Sequence, residues 1–170
     1  MHKPKPTDYP GFFNAYIELV PQETILEAFH SQTNVIQHFL LSISEEQSEF
    51  RYAAGKWTIK EVLQHLTDAE RIFSYRALCL ARKEKNALTN FDENEYAANS
   101  GANKRAWKSL ANEFLIARQS TLSLFTSFNN TMLLAEGTTS NYRTSVTTIG
   151  FVIVGHWYHH IKVIKERYHE

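Results

Sequence analysis

Two histidines near the end of the chain have the spacing of a metal-binding pair. His156 and His160 are four residues apart, and helical residues at this spacing share one face. The same face carries Ile149, Ile153 and Val163, so the two imidazoles occupy positions where leucines normally pack. Burying an unpartnered polar ring costs about 1–3 kcal/mol. One shared metal ion satisfies both rings, because two histidines at i and i+4 can chelate it.

A third ligand has to come from another helix, and His65 is the best candidate. It lies in the middle of a predicted helix and borders an apolar stripe that includes Val62, Leu66 and Ala69. His30, on the first predicted helix, is the weaker alternative. The other histidines lie near the chain ends or on other faces, and His159 should face outward because it is rotated by about 100° from its neighbour; they are His2, His38, His159 and His169.

The spacing also fits a simpler interpretation, in which these histidines are hydrogen-bonded core residues that bind no metal. If they do bind metal, Glu61, Asp68 and Glu70 could orient the ligand rings, although Asp68 and Glu70 could equally be exposed surface charges. Imidazole binds metal only in its neutral form, and its unperturbed pKa is about 6.5. We therefore expect protons to compete with the metal below roughly pH 6.

Four amphipathic helices are predicted to position these residues, and we expect no strand. Apolar residues recur at three- and four-residue spacings, the period of a helix with one buried face. The second helix has a clear start, because Thr58 can act as its N-cap and Glu61 closes a capping box. The predicted helices span residues 22–43, 58–82, 104–128 and 145–168.

The connections and the overall composition complete the prediction of an all-α four-helix bundle. A polar connection of roughly fifteen residues after Arg82 exceeds most bundle turns, and residues 129–143 form a second long connection. Residues 1–11 hold three of the four prolines, which favours an arm that wraps the domain. A length of 170 residues with 43% apolar residues predicts one domain, residues 1–170.

Charge and hydropathy exclude several classes of partner. The 18 basic and 18 acidic side chains balance, which gives no electrostatic reason to expect nucleic acid or an anionic membrane. The start of the chain lacks the apolar segment of a signal peptide, and no run of about 18 apolar residues occurs. We therefore expect a cytoplasmic protein that acts on a small molecule.

Two long blocks of this sequence resemble those of the DinB-like (DinB/YfiT-like) family. Residues 56–73, KWTIKEVLQHLTDAERIF, are similar to the family pattern W-[ST]-x-K-E-[IV]-L-x-H-[LI]-x-D-[AT]-E-R. Residues 155–168, GHWYHHIKVIKERY, are similar to its ending G-H-x-x-H-H-x-x-[IL]-[IL]-[KR]-E-R-Y. Residues 75–78 and 91–96 also fit, so the likeness covers nearly the whole chain.

The resemblance implies an up-down-down-up bundle with a long crossover, often dimeric, that holds a divalent ion on three histidines. Those ligands fall on His65, His156 and His160. Three nitrogen ligands leave a coordination position open, as in catalytic sites, and imidazole suits Zn, Ni, Fe, Mn and Co alike. Relatives include S-transferases that use bacillithiol, mycothiol or glutathione, and proposed metal-dependent hydrolases.

Three functions therefore remain open for the sequence alone. The first is a metal-dependent thiol S-transferase that acts on electrophiles, with a low-molecular-weight thiol as co-substrate. The second is a metal-dependent hydrolase, which needs the same metal and a shaped cavity. The third is a stress-linked bundle that binds a metal or ligand without turnover.

Overall fold

A computed structural model describes residues 2–139 and 141–168. Met1, Ser140 and residues 169–170, with His169 among them, lie outside the described residues. The long helices are α2 (Ile25–Ser42), α4 (Ile59–Ala81), α6 (Trp107–Thr126) and α8 (Val146–Arg167). A short helix, α1 (Asn14–Ile17), precedes them. Between them lie the short helices α3 (Glu45–Ser48), α5 (Glu93–Asn99) and α7 (Asn130–Leu133), and the strands β1 (Glu136–Thr139) and β2 (Tyr142–Ser145).

The four long helices confirm the four predicted segments to within a few residues. The start of α4 shows why the local sequence is informative. The Thr58 hydroxyl accepts a hydrogen bond from the Glu61 amide at 3.1 Å, and the Glu61 carboxylate accepts one from the Thr58 amide at 2.8 Å. This is the predicted capping box, which satisfies two of the backbone donors that a helix start leaves unpaired.

Helices α2 and α8 are neighbours that run in the same direction. Ile25 at the start of α2 lies against Gly150 of α8, and Phe39 near the end of α2 packs edge-on against Trp157. The residue numbers along the two helices increase in the same direction between these two contacts, so the helices are parallel. Helix α2 therefore pairs with the last long helix, and α4 packs between α6 and α8.

Helix α6 runs antiparallel to α2, because the start of α2 meets the end of α6. Phe29 packs against Phe125 at a ring distance of 5.1 Å, and the Trp107 indole N–H donates to the Leu40 carbonyl. Helix α4 runs antiparallel to α8, since the Tyr168 hydroxyl donates to the carbonyl of Trp57 and the middles of the two helices also meet. The topology is therefore up-down-down-up, as expected.

The expectation of no strand was wrong. Strands β1 and β2 pair antiparallel in the second long connection, with Glu136 opposite Ser145 and Thr139 opposite Tyr142. Their sequence is rich in threonine, a β-branched residue that suits a strand, but it lacks the apolar alternation that reveals a strand in a sequence. Asn141 supplies the left-handed backbone of the tight loop, with φ at 68°.

The leading arm folds back onto the bundle, as predicted for residues 1–11. The Lys3 ammonium donates to the Val20 carbonyl at 2.6 Å, and the Lys3 amide donates to the Glu23 carbonyl at 2.7 Å. The arm then leads into α1, which packs on α8. No helix within the described ranges is long and apolar enough to cross a membrane.

Candidate metal centre

The structure brings the three predicted ligand residues together inside the bundle. His65 lies in the middle of α4, and His156 and His160 lie one turn apart on α8. The Nε2 atom of His156 is 3.1 Å from that of His65 and 3.0 Å from that of His160. One ring nitrogen of each histidine lies within 4.8 Å of the other two. His65 and His156 are buried, and His160 is half-buried.

Hydrogen bonds among the three rings cannot satisfy this arrangement. The Nε2 atom of His156 has a close nitrogen neighbour on each side, yet a neutral ring nitrogen carries either one proton or one lone pair. It can therefore form a good hydrogen bond with only one of the two neighbours. Nitrogen ligands about 2.1 Å from a common ion lie roughly 3.0–3.4 Å apart, so the donor set fits a metal ion that takes all three nitrogens.

Burial keeps the three imidazoles in the neutral form that a metal requires. It lowers the pKa of His65 to about 4 and that of His160 to about 3, the latter with a further contribution from the neighbouring histidines. The pKa of His156 falls well below its usual value, through burial first and then the two neighbouring rings. Proton competition is therefore shifted to lower pH than the unperturbed value of about 6.5 predicts.

Aromatic side chains hold the ligand rings in place. Trp57 lies 4.9 Å from the His65 ring, while Tyr16 and Phe73 contact the His156 ring edge-on at 5.3 Å and 6.0 Å. Tyr16 belongs to α1, whose backbone approaches α8 closely at Gly155. A Cβ atom at Gly155 would lie 2.1 Å from the Tyr16 carbonyl oxygen, so only glycine lets α1 cover the site.

The proposed orienting carboxylates do not contact the described histidines, and that hypothesis was wrong. Glu61 is used by the capping box at the start of α4. Asp68 accepts a hydrogen bond from Gln64 at 2.9 Å. Glu70 is buried rather than exposed, and it accepts two hydrogen bonds from Arg118 on α6, at 2.8 and 2.9 Å.

The remaining described histidines do not join the cluster. His30 and His38 are exposed on α2, and His2 is exposed in the leading arm. His159 differs from its expected outward position: its ring is half-buried, 5.3 Å from Tyr16 and 5.1 Å from the ring of His160. The exposed alternative His30 is thereby excluded as the third member of this triad.

Two cavities flank the triad. The larger, about 430 Å³, is lined by His65 and His156 together with a mainly aromatic wall: Phe12, Phe13, Tyr16, Phe73, Phe91 and Tyr142. The smaller, about 260 Å³, is lined by His159 and His160 with Trp57 and Tyr168. The three histidines thus contribute to the walls of two spaces, each large enough for part of a small molecule.

Sequence reasoning missed Arg76 and Tyr16. Arg76 lines the larger cavity, and the helical period gave a signal for it, because His65, Ala69, Phe73 and Arg76 follow one another at four- and three-residue steps on one face of α4. No comparable signal existed for Tyr16. Its contact with the site depends on how a separate short helix docks.

The comparisons with known proteins agree with this architecture. A model of the DinB superfamily matches residues 28–164, so the chain belongs to that superfamily, as its motifs suggested. A solved structure, YfiT from Bacillus subtilis, superposes with a TM-score of 0.71 at 15% sequence identity, over 97% of this chain and 90% of that one. It is described as "a probable metal-dependent hydrolase with an unusual four-helix bundle topology". No curated protein matches the chain significantly.

Proposed function

We propose that this protein is a metal-dependent enzyme that holds one divalent transition-metal ion on His65, His156 and His160. The observation that carries the proposal is the position of the His156 Nε2 atom, 3.1 Å from one ring nitrogen and 3.0 Å from another. A single hydrogen bond leaves one of these two contacts unsatisfied, whereas an ion shared by the three rings satisfies both. Zn, Ni, Fe, Mn and Co all accept this donor set.

When bound, such an ion supplies Lewis acidity, which lowers the pKa of a coordinated water or thiol and polarises a substrate. The protein's own contribution is to hold three neutral donors in place without rearrangement. Trp57 packs against the His65 ring at a tilt, and Tyr16 contacts the His156 ring edge-on, so both help to fix the ligand rings. The larger cavity places a mainly aromatic wall beside His65 and His156, and apolar surroundings strengthen electrostatic interactions.

The reaction that we propose is the transfer of a low-molecular-weight thiol to an electrophile. The thiol sulfur bonds to the electrophilic carbon, the leaving group departs with its bonding electrons, and the thiol proton passes to solvent. Two reactants need two binding spaces that meet at the reactive centre. The two cavities that reach the triad, one lined by His65 and His156 and the other by His160, support this choice.

A metal-dependent hydrolase is the second candidate, and the description of YfiT favours it. The likeness to that protein is one of fold, at 15% identity. A hydrolase uses water as the second reactant and leaves the smaller cavity without a substrate. The third candidate is a bundle that binds metal or ligand without turnover.

One assay separates the three candidates. Metal-loaded protein is mixed with 1-chloro-2,4-dinitrobenzene, with and without bacillithiol, mycothiol or glutathione, and separately with 4-nitrophenyl acetate. The transferase proposal predicts product only when both thiol and electrophile are present, and a loss of activity in His160→Ala but not in His38→Ala, an exposed control. Thiol-independent ester cleavage that His160→Ala abolishes supports the hydrolase instead. No turnover of any substrate by metal-loaded protein contradicts both enzymes.

Homodimerisation and a cytoplasmic location stay predictions. The dimer is implied by the likeness to a family in which dimers are common. Light scattering of the purified protein tests it, and a monomer mass at high concentration contradicts it.

A further inference from the structure

Arg76 is a buried cation on the wall of the larger cavity. It lies on the same face of α4 as His65, eleven residues and three turns further along, and only 6% of its surface is exposed. Three turns separate the two Cα atoms by about 16 Å. Because helical side chains lean toward the helix N-terminus, the Arg76 side chain leans toward His65.

The protein gives this guanidinium little compensation for its charge. Its Nη2 atom donates to the Thr89 carbonyl at 2.6 Å, and the Phe73 and Phe91 rings lie 5.8 and 5.9 Å away. Within the described part of the chain, Arg76 forms no ion pair with a carboxylate. Burial accordingly lowers the pKa of Arg76, with no opposing contribution from a nearby acid.

A second buried arginine, Arg118, provides a comparison within the same bundle. Arg118 is also 6% exposed, yet both oxygens of Glu70 accept its hydrogen bonds, at 2.8 and 2.9 Å. Buried charges in proteins are normally paired in this way. Arg76 lacks such a carboxylate, and the cavity that it lines also reaches His65 and His156, whereas the cavity at Arg118 is about 130 Å³ and reaches none of the three histidines.

The acidic groups of the cavity lie at the start of α5, where Asp92 precedes the helix and Glu93 is its first residue. Asp92 and Glu93 are exposed lining residues. The Asp92 carboxylate accepts hydrogen bonds from the amides of Asn94 and Glu95 at 2.9 and 3.1 Å, so it caps α5. Glu93 lies close enough to raise the pKa of Tyr16, although burial is the larger cause. The negative charge of the cavity is therefore exposed, and its positive charge is buried.

We propose that Arg76 binds the carboxylate of the substrate, and that the substrate is a small molecule with an apolar, aromatic-sized body. The planar guanidinium matches a carboxylate in geometry, and the aromatic wall suits the body. The molecule would extend along α4 from Arg76 toward the triad. This inference deepens the proposed function, on which it rests for the location of the reactive centre.

Binding of a matched pair of probes tests the proposal. We suggest 4-phenylbutyrate and its neutral amide, titrated by ligand-observed NMR into the full-length protein as purified and after EDTA treatment. A charge-assisted hydrogen bond predicts that the carboxylate binds about tenfold tighter than the amide, or more. The preference should persist after EDTA treatment, should vanish in Arg76→Gln, and should remain in the exposed control Arg82→Gln.

The other outcomes either overturn the proposal or show whether the role of Arg76 and the metal site stand or fall independently. Equal binding of the two probes to the wild-type protein overturns it, as does a full preference in Arg76→Gln. A preference that EDTA removes makes the metal the partner of the anion, which supports the metal site and overturns the role of Arg76. A preference that depends on Arg76 in protein that binds no metal supports this inference and contradicts the metal site.

The wild-type protein supplies a readout that needs no variant, in case Arg76→Gln does not fold. The carboxylate should shift the Arg76 Nε–H resonance in the ¹H–¹⁵N spectrum, and the amide should not. An unchanged Arg76 resonance at saturating carboxylate overturns the proposal.

Discussion

His65 and His156 are 91 residues apart in the chain, yet their Nε2 atoms are 3.1 Å apart. The contact depends on the antiparallel packing of α4 and α8, which places the middles of both helices at one level. His160 joins them from the next turn of α8, 3.0 Å from His156. Three uncharged polar rings thus lie where a bundle usually places aliphatic side chains.

The metal-free protein should lose stability as the pH falls below about 6.5. The pKa of His65 is about 4 in the folded protein, whereas in the unfolded chain it is near 6.5. Between these values the unfolded state binds more protons, so the stability present above pH 6.5 decreases by up to about 1.4 kcal/mol per pH unit for this residue. Chemical denaturation of EDTA-treated protein at several pH values measures the slope.

A matched variant isolates the contribution of this histidine from that of the carboxylates. His65→Asn should show a shallower pH dependence over the same range. Equal slopes for the two proteins would mean that His65 is not held in its neutral form by burial.

Metal should raise the melting temperature at neutral pH and still do so near pH 5. A ligand bound only by the folded state stabilises that state. Because the pKa values of His65 and His160 are lowered to about 4 and about 3, protons should compete with the metal for these rings only below about pH 4. Melting curves with and without EDTA at both pH values measure the difference. Identical curves at neutral pH, with removal of any bound metal confirmed, would support the interpretation as hydrogen-bonded core histidines.

Gly155→Ala should displace α1 from the site. The added Cβ would lie 2.1 Å from the Tyr16 carbonyl oxygen, which is backbone and cannot rotate away. We expect a loss of about 1–3 kcal/mol in the free energy of unfolding, as for other overpacked positions, and faster amide exchange around Tyr16. Gly11→Ala is the control, since nothing lies within 4 Å of a Cβ there. Equal stability of the two variants would contradict the close approach.

Removing one partner of the buried ion pair between Glu70 and Arg118 should lower the free energy of unfolding considerably. Arg118 also donates to Gln32, whose amide donates to the Val154 carbonyl at 2.9 Å, so one network joins all four long helices. Glu70→Ala leaves the Arg118 charge buried without its partner, and we expect it to lower the free energy of unfolding by about 3–5 kcal/mol.

An exposed pair of the same chemistry provides the comparison for that variant. Glu136 and Arg143 bridge the two strands at 2.7 Å, with side chains 48% and 80% exposed. Glu136→Ala should cost no more than about 1 kcal/mol. Denaturant unfolding of both variants measures the difference, and similar losses would show that burial does not govern the strength of the Glu70 pair.

The sequence predicts the parts of this fold that depend on periodicity or on local hydrogen bonds. The four long helices follow from the spacing of their apolar residues, and the start of α4 follows from Thr58 and Glu61. The hairpin could not be predicted, because its short threonine-rich strands have no apolar face. Helices α5 and α7 are too short for a periodic pattern to show.

The same distinction applies to the candidate site. Helical spacing and the family motifs predicted which three histidines meet, because each was placed on the inner face of a helix. They did not predict the partner of Glu70, which is Arg118 on another helix, nor the contact of Tyr16 with His156. Those contacts depend on how separate elements pack, and a single sequence contains no pattern for them.

Metal content of single-histidine variants tests the central claim most directly. Purified wild-type protein, refilled with a divalent ion and freed of excess, should contain about one ion per chain by elemental analysis. His65→Ala, His156→Ala and His160→Ala should each lose most of it, whereas His38→Ala, at an exposed position of α2, should keep it. Wild-type metal content in all three triad variants would contradict the site.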